Sequence, residues 1–537
     1  MTELLFRTED LTPDEIRSLF VETELDRRAV DALKSRQPVV LVGSRGVGKS
    51  FLLKVAASEI RATFDEDRVL PVYVSLIKSS LLASDEESRL RAWILSRIAG
   101  AIIRSAKKAG LLAKPSAALS TLAGGKPNVS VSTTRIEQLA DALEEGWKGE
   151  DGGLDFSIVP SVEEFKEAID ELCEDLDLRR VAVFIDEAAH VLIPEQQRVF
   201  FTLFRDLRSP RLTLNAAVYP GVTHYGETFQ PVHDAQFFTL DRDIWAADYV
   251  ANMKAMVERQ ADTILLKTLR EKGQNFSILA YASSGNPRLL LKTISKAPSL
   301  TASELNSVIR EFYRDQIWAE HSQLASVYLG HRGIVDWGRG FIEAGVLKAL
   351  KSRNDEAMQS SSPRTALAIW IHRDAPKRAF QALRILQYTG ILKEHALGIK
   401  ASRSEVGTRY LINIGCVLSM ESNSAQTGFQ LVRASDPRRM IEFGSNHEAF
   451  QSLANLTPDA EKSSVSEALR QRLDQSVRIL DLTEWQKDKL EEQGFMTVRD
   501  VLGATDDQLQ GAYYVGPARA RKMKNAAETS VLEYLSG

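Results

Sequence analysis

Two short stretches contain residues whose types and spacing suit phosphate chemistry. Gly43-Ser44-Arg45-Gly46-Val47-Gly48-Lys49-Ser50 matches the pattern G-x-x-x-x-G-K-[ST]. Glycines in such a turn let backbone N–H groups curl around an anion without side-chain clash. A helix beginning near Lys49 points its positive end at the same anion. Lys49 then suits the β- and γ-phosphates of ATP, and the Ser50 hydroxyl suits a Mg2+ ligand. The whole loop, with Phe51 directly after it, is the expected nucleotide contact. The second stretch is "VAVFIDE", residues 181–187. An apolar run that ends in two acids reads as a buried strand delivering Asp186 to its carboxyl end, where α/β ligands bind. Asp186 is expected to hold the Mg2+ shell, and Glu187 to orient or deprotonate an attacking water. The bland alternative is a strand end with two solvated acids. His190, just beyond, reads as a structural or solvent-facing histidine.

The elements that must position these residues follow from periodicity. Residues 11–35 read as a helix, with Ile16, Leu19, Phe20, Val30 and Leu33 as its apolar face. Residues 39–42 form a short buried strand, and a helix follows over 49–60. A second strand is expected at 68–76 and a long helix over 86–108, with Leu90, Trp93, Ile94, Ile98 and Ile102 on one side. Residues 114–160 are rich in Gly, Ser and Thr around one polar helical stretch and read as an insertion or mobile loop. A helix at 161–176, the strand ending in Asp186, a helix near 194–207 and strands at "RLTLNAAVYPG" and "HDAQFFTLD" complete an alternation. Strands separated by helices imply an α/β domain with a mostly parallel sheet.

The 537 residues exceed one ordinary core and imply several domains. With 44% apolar and 26% charged residues and a net charge of -4, the composition is that of a soluble globular protein. Any nucleic-acid contact must therefore use a local basic face. Cys173 and Cys416 lie too far apart in sequence for a disulfide framework or a zinc pattern and fit a reducing cytosol. The first residues carry acids early, which does not suit a secretory signal. No uninterrupted apolar run approaches the ~20 residues that span a bilayer. A cytoplasmic chain without a membrane segment is expected.

With these residues in place the chain resembles the AAA+ ATPases, and within them the branch of the replication-origin and STAND signalling ATPases. The resemblance covers about residues 20–320. It implies a helix before the phosphate loop that packs near the adenine, for which "LFVETELDRRAVDAL" stands, with Val21, Asp26 and Arg27 in the relevant places. It implies a polar sensor at the end of the fourth strand, filled here by Asn215 or Tyr219. A second sensor is implied in the lid: "ASSGNPRLLLK" has that form, and Arg288 would face the γ-phosphate. An arginine acting across subunits is implied too, with Arg205, Arg208 and Arg211 as candidates. Three arginines near a helix end are also what the helix dipole favours.

The C-terminal segments suggest what the ATPase acts on. Residues 365–371 read as a short helix and 375–392 as a second, with Phe380, Leu383, Leu386 and Ile391 in helical spacing. "KEHALGIKA" and "TRYLINIGCVL" follow as a strand pair. The order resembles a winged helix-turn-helix. Residues 361–420 hold nine Lys/Arg against three Asp/Glu. Lys377, Arg378 and Arg384 on a recognition helix, with Lys400, Arg403 and Arg409 on a wing, suit DNA phosphates. The same shape also serves protein contact.

The last 60 residues resemble tandem helix-hairpin-helix folds such as the C-terminal domain of RNA polymerase alpha. "VGPARARKM" supplies the hairpin, with Gly516 at the turn, Ala520 for close packing and Arg519, Arg521, Lys522 and Lys524 as the basic edge. Tyr514 stands where such hairpins have an earlier glycine. From residue 481 onward there are seven bases and ten acids, so DNA contact at 510–525 and protein docking are equally compatible.

The fold expected is α/β: a P-loop AAA+ parallel sheet with a helical lid, then a winged helix and a small all-α helix-hairpin-helix domain. The divisions are 1–243 for the ATPase core with its insertion at about 114–160, 244–355 for the lid and connector, 356–445 for the winged helix, 446–474 for a linker and 475–537 for the last domain. The function expected is an ATP·Mg2+-binding and hydrolysing switch acting on DNA or a DNA-bound partner, in genome maintenance, mobile-element control or antiphage defence. The alternatives are a STAND-type signalling ATPase whose C-terminal modules bind protein and whose nucleotide state gates homo-oligomerisation, and a DNA-binding regulator with ATP as effector.

Overall fold

The computed structural model describes residues 4–78, 87–112, 116–125, 133–144, 154–189, 194–327, 332–401, 404–455, 472–512 and 514–536. His190, Arg403 and most of the expected 446–474 linker lie outside the described residues.

Five strands form the N-terminal sheet: β1 (Val39–Val42), β2 (Val69–Ser75), β3 (Arg180–Asp186), β4 (Leu212–Val218) and β5 (Gln236–Thr239). They lie parallel in the order β2-β3-β4-β1-β5. This is the P-loop α/β sheet expected of an AAA+ domain. β3 and β4 are buried along their whole length, which is why they read as unbroken apolar runs rather than alternating ones. The parallel arrangement puts the loop after β1, the acids ending β3 and the residues after β4 at one edge of the sheet. That edge is where ligands bind in open α/β sheets.

Four local expectations change. The single helix over 11–35 is two helices, Pro13–Leu19 and Glu24–Lys34. Thr23 takes extended backbone, and its side chain accepts the Asp26 N–H, so a new helix starts there rather than the first continuing. The 114–160 segment is packed where it is described. Helices Ala117–Leu122 and Arg135–Glu144 bury Leu119, Leu122, Ile136, Leu139 and Leu143. The second lies along Glu87–Lys108, where Trp93 Nε1 donates to Glu144 Oε1 at 3.2 Å and Arg104 pairs with Glu137. Gly100 permits the approach, since a Cβ there would stand 2.7 Å from Glu137 Cγ.

The polar composition of 352–364 reads as a linker, but helix Leu347–Met358 takes up its first half. Buried Asn354 bonds both the C=O and the N–H of Ala366. Finally, the expected helix at 365–371 is strand β6 (Ala368–His372), buried between β8 (Val406–Ile412) and β9 (Met440–Phe443). Its apolar run is too short for periodicity to separate helix from strand.

The C-terminal sheet has the order β7-β8-β6-β9, with β7 (Leu392–Lys400) and β8 as an antiparallel hairpin and helix Lys377–Tyr388 before it. The unit is therefore strand, helix, hairpin, not helix, helix, hairpin. It also shares one continuous hydrophobic core with the lid helices, including Tyr249, Phe276, Tyr313, Ile369 and Leu383. Gly415 lies so close under the Tyr313 ring that a Cβ would be 2.3 Å from it. The boundary drawn near residue 355 is thus no break in packing. Helices from Glu484–Glu492 to Pro517–Ser536 have their own core around Leu490, Val501 and Met523. Tyr514 adopts φ 64° before the hairpin, so the turn forms with a tyrosine in a conformation usually left to glycine or asparagine. No helix among the described residues is long and apolar enough to cross a membrane.

Asn215 fixes the sheet to the helix before it: its Oδ1 accepts the Val39 N–H at 3.1 Å and its Nδ2 donates to the Leu33 carbonyl at 3.3 Å, fully buried. Asn215→Ala leaves a buried donor and acceptor unpaired, which costs about 1–3 kcal/mol. A lower thermal midpoint is expected with ATP affinity unchanged, checked by calorimetry and a fluorescent-nucleotide titration.

Candidate nucleotide site

β1 runs into the loop, and the helix Lys49–Ala62 leaves it. Gly46 and Gly48 have φ of 83° and 105°, and Gly48 caps the helix from the left-handed region. Gly43 is tight for another reason, since a Cβ there would meet Val47 Cγ2 at 2.6 Å. These backbone states leave the first N–H groups of the helix pointing into the turn. Lys49 is 7% exposed. Its Nζ donates to the carbonyls of Gly43 at 2.7 Å and Ser44 at 3.1 Å, and sits 4.1 Å from the centre of the Tyr219 ring. Burial holds the ammonium below its ordinary pKa, against the pull of Glu187 and Asp186.

Asp186 is 3% exposed and receives hydrogen bonds from the Tyr73 hydroxyl at 2.5 Å and from Ser50. Burial, with the neighbouring Glu187 charge, raises its pKa above the usual carboxylate range in spite of those donors. A buried carboxylate beside a serine hydroxyl is a hard oxygen pair that fits Mg2+, which takes one or two protein oxygens and completes its shell from phosphate and water. Among the described residues no group of three or more His, Cys, Asp or Glu could hold a metal by itself. Glu187 has φ 55°, a costly conformation for a non-glycine residue, of order 1–3 kcal/mol. Its own N–H donates to Asp186 Oδ1 at 3.0 Å, and the next N–H, of Ala188, bonds the Ala217 carbonyl on β4. The surrounding sheet therefore forces the turn that aims Glu187 at the loop.

The lid closes the site from the other side. Asn286 Nδ2 donates to the Arg45 carbonyl at 2.7 Å, and the Arg288 N–H bonds the Gly46 carbonyl at 3.3 Å. Asn286 also caps helix Pro287–Lys296. Arg242, just after β5, ties three parts together: Asp26 Oδ1 at 2.6 Å, the Val47 carbonyl at 2.9 Å and the Gly285 carbonyl at 3.4 Å. The Arg242–Asp26 pair is 9% and 3% exposed.

A cavity of about 180 Å3 runs from Gly46, Lys49, Ser50, Glu187 and Arg288 toward an apolar end. Phe20, Val21, Phe51, Met256 and Leu291 line that end, which suits a planar base. The segment just before residue 12 covers it. Its Leu5 N–H bonds Gln260 Oε1 at 2.7 Å, and the Thr8 carbonyl accepts from Lys54 at 2.9 Å. On the far side a cleft of about 1610 Å3 opens between the ATPase sheet and the helix and hairpin of the C-terminal sheet unit.

The structure brings together Lys49, Ser50, Asp186, Glu187, Arg288 and the loop. Of the two sensor candidates, Asn215 pairs with Val39 at the start of β1, away from the loop. Tyr219 is at the site: its hydroxyl donates to the Glu187 carboxylate at 2.8 and 2.6 Å. Of the trans-arginine candidates, Arg205 is bound to Asp206 and the Thr228 carbonyl, Arg211 to the carbonyls of Leu178 and Arg179, and Arg208 is exposed. Tyr73, Arg242 and the Leu5–Thr8 strap were not foreseen. Tyr73 alternates in phase within "RVLPVYVSL", and only the pairing of β2 with β3 reveals that it reaches Asp186.

Gly46→Ala is expected to weaken ATP binding by at least about tenfold, because its φ is disfavoured for alanine and the new Cβ would stand 2.7 Å from Asn286 Oδ1 and 2.9 Å from Arg288 Cβ. Equilibrium titration with a fluorescent ATP analogue measures it.

Comparison with known proteins gives a match to one family model and matches to solved structures. Residues 4–92 match the family model described as ORC-CDC6-like. No curated protein sequence matches the chain. Among solved structures, the Aeropyrum pernix ORC1 protein in complex with DNA is 12% identical, with 78% of this chain and 93% of that one covered and a TM-score of 0.33. A Walker-type ATPase of Pyrococcus abyssi is 13% identical, covering 80% and 97%, with a TM-score of 0.37. The Aeropyrum pernix ORC2 protein, in ADPNP–ADP complexes, is 12% identical, covering 78% and 92%, with a TM-score of 0.34. The stretch that carries the phosphate loop is thus ORC-CDC6-like, and it opens a sheet of the AAA+ ATPase type.

Proposed function

We propose that the chain is an ATP-binding and ATP-hydrolysing switch whose C-terminal sheet unit engages duplex DNA. One observation carries the ATPase reading: Lys49, Ser50 and Glu187 line one cavity together with apolar Phe20, Val21, Phe51, Met256 and Leu291, and Asp186 accepts a hydrogen bond from Ser50. The loop amides and Lys49 bind the phosphates. Ser50 and Asp186 would hold Mg2+, which would neutralise phosphate charge when bound. Glu187 orients the attacking water and takes its proton. Arg288, seated on the loop through its own N–H, brings a guanidinium to the developing phosphoryl charge and reports on lid closure.

The DNA reading is supported by which basic side chains are free to meet solvent. On helix Lys377–Tyr388 the buried positions are Ala379, Ala382, Leu383, Ile385, Leu386, Gln387 and Tyr388, while Lys377, Gln381 and Arg384 are exposed on one face. Arg373 and Lys400 are exposed as well. Arg378 and Arg409 are committed inside the fold, to the carbonyls of Leu453 and Pro437. The basic face is therefore Arg373, Lys377, Arg384 and Lys400, narrower than the composition suggested. The cleft beside it is larger than the ~300–1,000 Å3 of a small-molecule pocket. In the last domain Arg519 is folded back on the Tyr514 carbonyl and lies 5.2 Å from the centre of the Trp485 ring, and Lys524 bonds the Ala504 carbonyl, leaving Arg521 and Lys522 as its exposed basic edge.

Lys49→Ala is expected to abolish ATP binding. Glu187→Gln should bind ATP with near-unchanged affinity and turn it over at least about a hundredfold more slowly; phosphate release and nucleotide titration on the two variants measure this. Duplex DNA binding by the full chain, followed by fluorescence anisotropy, should weaken steeply with salt. Removing Lys377 and Arg384 together should lower the slope of log K against log[salt] by about 2. Binding that ignores salt would exclude the phosphate contacts.

A further inference from the structure

Tyr219 belongs to the walls of both cavities, the nucleotide site and the interdomain cleft. Its hydroxyl bridges both oxygens of Glu187. One face of its ring carries the Lys49 ammonium. The ring also meets Tyr388 edge-on, with centroids 5.1 Å apart and planes at 79°. Tyr388 is the last residue of helix Lys377–Tyr388, and both tyrosines are 2% exposed. The backbone makes the same connection: two residues after Tyr219, Gly221 has φ 77°, and a Cβ there would lie 3.0 Å from the Arg384 carbonyl. The exit of β4 and the basic helix are thus in direct contact at two points, and a shift of that helix must move the Tyr219 ring.

A carboxylate that takes a proton from water needs an oxygen turned to the water. With a phenol shared between both oxygens, and the backbone already fixed by the β3–β4 contacts, Glu187 is restrained from that approach. We propose that Tyr219 is a brake on Glu187 set by helix Lys377–Tyr388: while the helix is seated on Tyr219 the phenol holds the carboxylate, and a polyanion that draws the helix outward releases it. This rests on the ATPase reading above. Tyr219 is a positioning residue here, and Tyr388 acts through it.

The test uses the full chain with Tyr219→Phe, which removes only the hydroxyl, Tyr388→Leu, which keeps apolar bulk but loses the ring edge, and Tyr388→Phe, which keeps the edge. Without DNA, kcat is expected to rise at least ~3-fold in Tyr219→Phe and Tyr388→Leu with ATP Kd within about twofold of wild type, a split that a merely structural defect would not produce. Tyr388→Phe should match wild type. The double variant Tyr219→Phe/Tyr388→Leu should be no faster than the faster single one, because both act on one contact. Duplex DNA should stimulate wild type and not Tyr219→Phe. A fall of kcat in Tyr219→Phe would overturn the brake, and a wild-type kcat in Tyr388→Leu would overturn the link to the helix. If Glu187→Gln turns over as fast as wild type, the ATPase reading itself fails, and the brake with it. If turnover needs Glu187 but ignores Tyr388→Leu, only the inference is lost.

Discussion

Lys49 is an ammonium held almost out of water, and the site is arranged around that constraint. Burying an unpaired charge is costly enough that a protein must supply partners or neutralise the group. Here the partners are the carbonyls of Gly43 and Ser44 and the face of Tyr219. The carbonyls can reach the ammonium only because the loop curls back on the helix that carries the lysine. The two carboxylates nearby are held in the opposite sense: Asp186 by Tyr73 and Ser50, Glu187 by Tyr219. Each of the three charges thus meets neutral donors, acceptors or a ring. On the proposed reading, a nucleotide with Mg2+ would bring charges complementary to all three.

Arg242 turns that local arrangement into a mechanical one. Its guanidinium joins the Asp26 carboxylate before the loop, the Val47 carbonyl in the loop and the Gly285 carbonyl in the lid turn. A planar fork with several fixed donors suits such a three-way junction better than a lysine would. The junction is nearly dry, and removing one partner of a buried pair costs about 3–5 kcal/mol. Loop and lid are therefore tied to each other and to the helix before the loop. Arg288 is tied to the same loop through its backbone N–H to Gly46.

How much of this was legible beforehand follows from the range of each interaction. The phosphate loop, the acids after β3 and the lid turn are set by spacing within a few residues, so their identity could be read directly. Tyr73, Arg242 and the Leu5–Thr8 strap act on residues tens to hundreds of positions away. Their roles exist only once β2 lies beside β3 and β5 beside β1. Asn215 shows the same limit from the other side: its place in "TLNAAVYPG" suggested a sensor, and strand register assigns it to the start of β1 instead. The strand Ala368–His372 looked helical because four buried residues in a row, followed by half-buried His372, carry no period. The packed helices of the 114–160 segment were hidden by glycines and serines in the stretches between them.

The shared core of lid and C-terminal sheet unit gives the last step its force. Two domains joined by a linker would let DNA contact and nucleotide state vary independently, as small polar interfaces generally do. Here the lid helices and the sheet unit bury one continuous set of side chains. Between them and the ATPase sheet there is an open cleft, closed at its floor by the contacts of Tyr219 with Tyr388 and of Gly221 with Arg384. An aromatic edge contact is worth only about 0.5–1.5 kcal/mol beyond its buried area. It can hold Tyr219 in register while remaining weak enough for a bound polyanion to break. A contact of that strength in a cleft wall, touching a side chain that bridges both oxygens of Glu187, suits a switch better than it suits a scaffold.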